Sequence, residues 1–173
     1  ADAGAAQLAA LIAERTGRSV KWRAAGFNSA TSGQIRDHVL PNLSPDAWSH
    51  TVVSLGTNDV KNFHTLPRFK REFGGLLYAL RAKWPEARIV WSPVVDFSRM
   101  PALPDMLGRI LEIRADAINR LGEHLCLERG AVPATRLAIT DPDAGFSSDG
   151  FHASEAGYRA WAEHMLGFVL DGE

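Results

Sequence analysis

The chain has 173 residues, 46% of them apolar and 23% charged, which suits one globular domain with a sizeable buried core. Its 19 basic and 20 acidic side chains leave a net charge of -1, so nucleic acid and other polyanions are not expected partners. Cys126 is the only cysteine, which excludes an internal disulfide and a thiolate zinc cluster, and no apolar run reaches the ~18–20 residues that cross a bilayer.

Leu8, Leu11 and Ile12 recur at helical spacing and predict an amphipathic helix over 5–14, stopped by Gly17. Val20, Trp22 and Ala24 alternate with polar neighbours, as in a short strand over 20–24, and a short helix follows over 32–40 before Pro41. The run 51–55, closed by Gly56, reads as a strand buried on both faces of a parallel sheet, and a second such strand covers 88–94. Between them Phe69, Phe73, Leu76, Leu77 and Leu80 form one helical stripe that ends before Pro85. A long helix over 104–129 is expected to turn Ile110, Ile113, Ala117, Leu121 and Leu125 inward; a weak strand over 131–139 and a last helix over 154–170 complete the order. Strands alternating with helices of this length predict an α/β fold with a doubly wound parallel sheet, helices on both faces, and ligands beyond the carboxyl ends of the strands. The loops expected there are 26–33, 56–64, 95–104 and 140–152.

Two of these loops carry chemistry. In Ser148-Asp149-Gly150-Phe151-His152 a carboxylate precedes an imidazole by three residues, a spacing that lets the two meet on a turn. An Asp accepting from Nδ1-H sets the tautomer, leaves Nε2 as a general base and stabilises the imidazolium formed during acyl transfer. The bland alternative is an Asp-Gly turn with a surface histidine. In Ser54-Leu55-Gly56-Thr57-Asn58-Asp59 a strand delivers an amide to the active face, where Asn58 can donate to a developing oxyanion. Taken alone, that too is ordinary turn composition.

The two motifs together, in this order and about ninety residues apart, resemble the SGNH hydrolase (GDSL-like lipase/esterase) family, whose third block is Gly-x-Asn-Asp and whose last is Asp-x-x-His. The loop Gly26-Phe27-Asn28-Ser29-Ala30-Thr31 sits where the family's second block lies, and Ser154-Glu155-Ala156-Gly157-Tyr158 looks like its closing helix, so the resemblance spans essentially the whole chain. It implies a three-layer αβα, flavodoxin-like sheet, a serine nucleophile, and an oxyanion hole made of that serine's N-H, a second-block glycine N-H and the asparagine amide. Carried over residue by residue, Asp149 and His152 match the triad partners and Asn58 the amide. Ser29 falls on the family's glycine, where its backbone N-H can still serve if its torsions suit a non-glycine.

One departure is larger. No Gly-Asp-Ser motif occurs in the sequence. The family's order places that motif, and the central first strand before it, just upstream of Ala1. The expectation is therefore one domain over 1–173 that lacks this strand and nucleophile, its sheet completed by an N-terminal peptide segment. An alternative makes Ser29 or Ser32 the nucleophile, although Ser29 reads better as a backbone donor and Ser32 as the cap of the following helix.

His38, His50, His64 and His124 have no carboxylate or second histidine at a helix-ligand spacing, His164 has no assigned role, and metal ligation is not expected. Asp59 reads as support for its turn. Phe97, Met100 and Leu103 either line an acyl pocket or cap the core; Trp22, Trp84, Trp91 and Trp161 read as core. The resemblance implies hydrolysis of a small-molecule carboxylic ester or thioester through an acyl-enzyme, without a cofactor. The competing class is a non-catalytic binding module on the same scaffold.

Overall fold

A computed structural model describes residues 2–171. The first helix, α1 (Asp2–Thr16), precedes an irregular stretch over 17–31. A helical run then begins with α2 (Ser32–Gln34), widens to a π-helix over Ile35–Val39 and closes as a 3-10 turn over Leu40–Asn42. The remainder alternates: β1 (His50–Ser54), α3 (Thr57–Lys61), α4 (Leu66–Lys83), β2 (Arg88–Ser92), α5 (Asp105–Glu128), β3 (Val132–Pro133), α6 (Pro142–Gly145) and α7 (Glu155–Leu170). The three strands are parallel in the order β1-β2-β3, with His50 opposite Arg88 and Val90 opposite Val132.

Side-chain alternation along β2 divides the core into the two sides of a three-layer αβα fold. Ile89 and Trp91 face α4 and α5, where Phe69, Phe73, Leu76, Leu77, Leu111, Ile118 and Leu125 are buried. Val90 faces the opposite way, onto Leu8 of α1 and Ala162, Met165, Leu166 and Val169 of α7. The α4 stripe is buried throughout, as its periodicity predicts. Trp91 extends the stacked Phe69–Phe73 pair, its ring 5.1 Å from that of Phe73, and donates its indole N-H to the Leu55 carbonyl (3.0 Å). Gly122 of α5 admits this ring: a β-carbon there would lie 2.3 Å from it. No helix among the described residues is long and apolar enough to cross a membrane.

Four expectations need correction. Residues 20–24 form no strand, and Trp22 is 45% exposed rather than core, because an alternating segment becomes a strand only with a neighbour for its backbone groups, and no described strand pairs with it. For the same reason β1 is, among the described residues, an edge with β2 on one side only, and of its residues Val53 alone is buried. On α5 the inward face is Gly108, Leu111, Ala115, Ile118, Gly122 and Leu125, whereas Ile110 and Ile113 are exposed. Finally, the third strand shrinks to Val132–Pro133, since the next backbone contact, Ala134 N-H to Trp91 O at 2.9 Å, is the last before the chain leaves the sheet.

Candidate active site

The carboxyl end of β1 runs through Leu55 into Gly56, whose φ of 124° is costly for any side chain and whose β-carbon would lie 2.7 Å from Val94 Cγ2. That bend starts α3 at Thr57 and sets Asn58 in its first turn. The Asn58 amide donates to the Ala30 carbonyl at 2.9 Å, so one of its two N-H groups braces the 26–33 loop and the second remains for another acceptor. Ser29, beside this contact, is exposed and sits at φ 63°, a left-handed conformation that costs a non-glycine about 1 kcal/mol or more. A left-handed φ is one that glycine adopts without strain, and the Ser29 N-H is present there.

Asp59 locks the two loops together. Its side chain is fully buried; Oδ2 accepts from the Ser32 N-H (3.2 Å) and hydroxyl (3.0 Å), and Oδ1 lies 3.2 Å from His64 Nδ1. Burial raises its pKa, and the Ser32 and His64 hydrogen bonds oppose that rise. Ser32 is therefore not the helix cap: Thr31 occupies that position, with its N-H bonded to Gln34 Oε1. Buried and engaged with Asp59, the Ser32 hydroxyl is also badly placed for nucleophilic attack.

The second chemical loop folds back on itself. Phe146 bridges Ala153, Ser147 N-H reaches the His152 carbonyl at 2.7 Å, and Gly150 makes the bend at φ 68°. Gly150 also meets the loop after β2: its carbonyl accepts the Ala102 N-H at 3.1 Å, and a β-carbon at 150 would lie 2.7 Å from that nitrogen. Within the bend, Asp149 Oδ2 lies 2.6 Å from His152 Nδ1, while Oδ1 accepts from the N-H groups of Phe151 and His152 and the Ser147 hydroxyl. The His152 ring, those two N-H groups and that hydroxyl hold the carboxyl well below the usual carboxylate range. Ser154 caps α7 by accepting from the Gly157 N-H.

The two loops adjoin. Phe151 packs on the α4–α5 core, and Lys61, one turn beyond Asn58 on α3, holds its ammonium 4.4 Å from the Phe151 ring centre. Asn58, Ser29 and the Asp149–His152 pair thus lie on neighbouring loops along the carboxyl edge of the sheet, on the side where β1 and β2 point.

Several neighbours were missed by sequence reading. Asn119 of α5 clamps Val94 by two 2.9 Å bonds, one to its N-H and one from its own amide to the carbonyl, a long-range contact with no local pattern. His64, read as a surface or core residue, is buried against Asp59 and lies 3.8 Å from Glu72 Oε2; His124 does have a carboxylate at helical spacing, Glu128 four residues on, and pairs with it at 2.9 Å, which corrects the reading of that histidine. Phe97 and Met100 are buried in the core, which decides between the two roles open to them. Burial pushes the Cys126 thiol up to about 12, leaving it inert as a nucleophile.

Residues 1–160 match the model of the GDSL-like Lipase/Acylhydrolase family. The chain belongs to this family. Solved structures similar to this GDSL-like chain include a family 3 carbohydrate esterase from Clostridium thermocellum, at 15% identity and TM-score 0.67, covering 95% of this chain and 86% of that one. An enzyme described as an alpha/beta hydrolase, from the metagenome of Lake Arreo, Spain, matches at 14% identity and TM-score 0.73 over 98% of this chain and 83% of its own. A phospholipase A1 from Streptomyces albidoflavus matches at 15% identity and TM-score 0.64 over 94% and 85%. No curated protein matches the sequence. At such identities the structural likeness establishes the fold, and the family is one of hydrolases.

Proposed function

We propose that this protein hydrolyses carboxylic esters or thioesters by a serine acyl-enzyme route. The observation that carries the reading is the 2.6 Å contact between Asp149 Oδ2 and His152 Nδ1, which directs Nε2 away from the acid as a general base. In this mechanism a serine hydroxyl gives its proton to His152 Nε2 as it attacks the ester carbonyl. The ionised Asp149 stabilises the resulting imidazolium. The free Asn58 N-H and the Ser29 N-H receive the oxyanion, the imidazolium protonates the leaving group, and water deacylates the enzyme with His152 again as base. The reaction needs no cofactor.

The single domain over 1–173 requires in addition a segment that brings the nucleophile. We place it upstream of Ala1, as a peptide with a strand followed by a Gly-Asp-Ser-like turn. Two features support this: among the described residues β1 pairs with a strand on one edge only, and residues 17–31 are largely exposed and form no ladder. Such a strand would give both segments backbone partners.

The test is a fluorophosphonate probe applied to the full-length protein, followed by peptide mapping. Labelling of a serine upstream of Ala1, lost in His152→Ala, is the expected result. Labelling of Ser29 would move the nucleophile to the second loop. No labelling of a folded protein would favour a binding module on this scaffold.

A further inference from the structure

Outside the proposed catalytic groups, three side chains converge where the turn after α3 meets α4. We propose that Asp59 Oδ1, His64 Nδ1 and Glu72 Oε2 bind one divalent transition-metal ion of the zinc class. One ligand atom from each residue lies within 4.8 Å of the other two, with 3.2 Å between His64 Nδ1 and Asp59 Oδ1 and 3.8 Å between His64 Nδ1 and Glu72 Oε2. Zinc bonds of about 2.0–2.2 Å in a tetrahedron separate neighbouring ligand atoms by about 3.3–3.5 Å, so His64 and Asp59 already stand near that spacing and Glu72 has to close in on them. Imidazole with carboxylate is a donor set suited to zinc and its first-row neighbours, whereas calcium and magnesium prefer oxygen alone.

Hydrogen bonding by itself leaves this cluster unsatisfied. A single proton on Nδ1 serves Asp59 at 3.2 Å, and Glu72 Oε2, shielded from solvent, has no hydrogen-bond partner. A buried acceptor without a partner is costly, and a dication in the middle serves all three groups at once. The outer atoms are already held as a metal's supporting shell requires: Ser32 binds Asp59 Oδ2 and Arg68 binds Glu72 Oε1 at 3.0 Å. The side chains of Asp59, His64 and Glu72 are 0%, 5% and 12% exposed, so the ion enters past Glu72 and is then enclosed. Arg68 and Arg36 add positive charge near Glu72, which sets the affinity below that of an uncompensated carboxylate site. An ion here ties α3 to α4 one residue from Asn58, and its role is to hold that turn.

The test uses full-length protein stripped with chelator and titrated separately with zinc and cobalt(II). One equivalent of each should bind, cobalt should develop the visible absorption of a four-coordinate site in which water completes the three side-chain ligands, and zinc should raise the melting temperature. Glu72→Gln, at the rim of the cluster, and His64→Gln should each weaken zinc by at least tenfold to a hundredfold, whereas His124→Gln leaves it unchanged. Absence of stoichiometric binding, or the same affinity in Glu72→Gln as in the parent, overturns the proposal and leaves a closed hydrogen-bond cluster. Esterase activity is not the readout, so this result stands or falls apart from the hydrolase reading.

Discussion

Asn58→Ala tests two functions of one amide, the observed bond to Ala30 and the proposed oxyanion contact. The first N-H bonds the Ala30 carbonyl at 2.9 Å, and Ala30 is 5% exposed. Truncation leaves that carbonyl without its partner and should cost about 1–3 kcal/mol of folding stability. The second N-H is the proposed oxyanion donor, and its loss should remove about 2.7–4 kcal/mol of transition-state stabilisation, a fall of roughly 10²–10³ in kcat. Because an oxyanion contact strengthens only as charge develops, KM should change little. Steady-state hydrolysis of a p-nitrophenyl ester by the full-length protein gives kcat and KM, and urea unfolding of the same samples gives the stability change. A variant whose unfolding midpoint falls while kcat stays within threefold of the parent would show that Asn58 only braces the 26–33 loop, and the oxyanion assignment would fail.

Replacing Asp149 with Asn keeps the turn's shape but removes the charge facing His152, and kcat should fall roughly 10⁴-fold. Since Asp149 is held ionised far below the usual carboxylate range, the parent's rate-pH profile should show no inflection near pH 4; a loss of activity there would argue against Asp149 as the ring's charged partner. The proposed role of Ser29 uses its N-H and not its hydroxyl, so Ser29→Ala should retain turnover within a few-fold, and Ser29→Pro, which deletes the donor and cannot adopt φ 63°, should abolish it in the same assay. Glu112, a fifth exposed, is raised to about 7 by burial and its hydrogen bond with Asp96, against the opposing pull of Arg136. Between the unfolded carboxyl value and 7 the native state holds a proton that the unfolded state releases, so this group's contribution falls as pH rises over that range and stays low above it. Glu112→Gln should therefore gain stability relative to the parent between pH 5 and pH 8, and a urea midpoint difference that does not move with pH would disprove it.

The parts of the fold legible in the sequence are those set by local periodicity or a local cap. The α4 stripe from Phe69 to Leu80 and the Ser154 start of α7 are examples. Residues 20–24 show where that logic ends: alternation says which side chains share a face, yet a ladder also needs a neighbour, and β1 likewise has its bonded partner on one side only. The phase of α5 was misjudged because its packing face is built partly from Ala115 and Gly122, small residues that score low in an apolar count but let Trp91 close on the helix. At the candidate site the Asp149–His152 contact was readable because three residues separate the pair. The bonds from Asp59 to Ser32, from Asn58 to Ala30 and around His64 were not, since they join segments whose approach depends on the tertiary fold.

The clasp between Gly150 and Ala102 couples two surfaces that selection would otherwise tune apart. The loop over 95–104 supports the bend on which the imidazole rides, through the Ala102 N-H bonded to the Gly150 carbonyl. Enlarging the 102 side chain or removing its N-H to admit a different substrate would therefore tilt His152 as well. Variants chosen for new specificity in this loop should carry a turnover penalty that a compensating change around 147–153 can relieve.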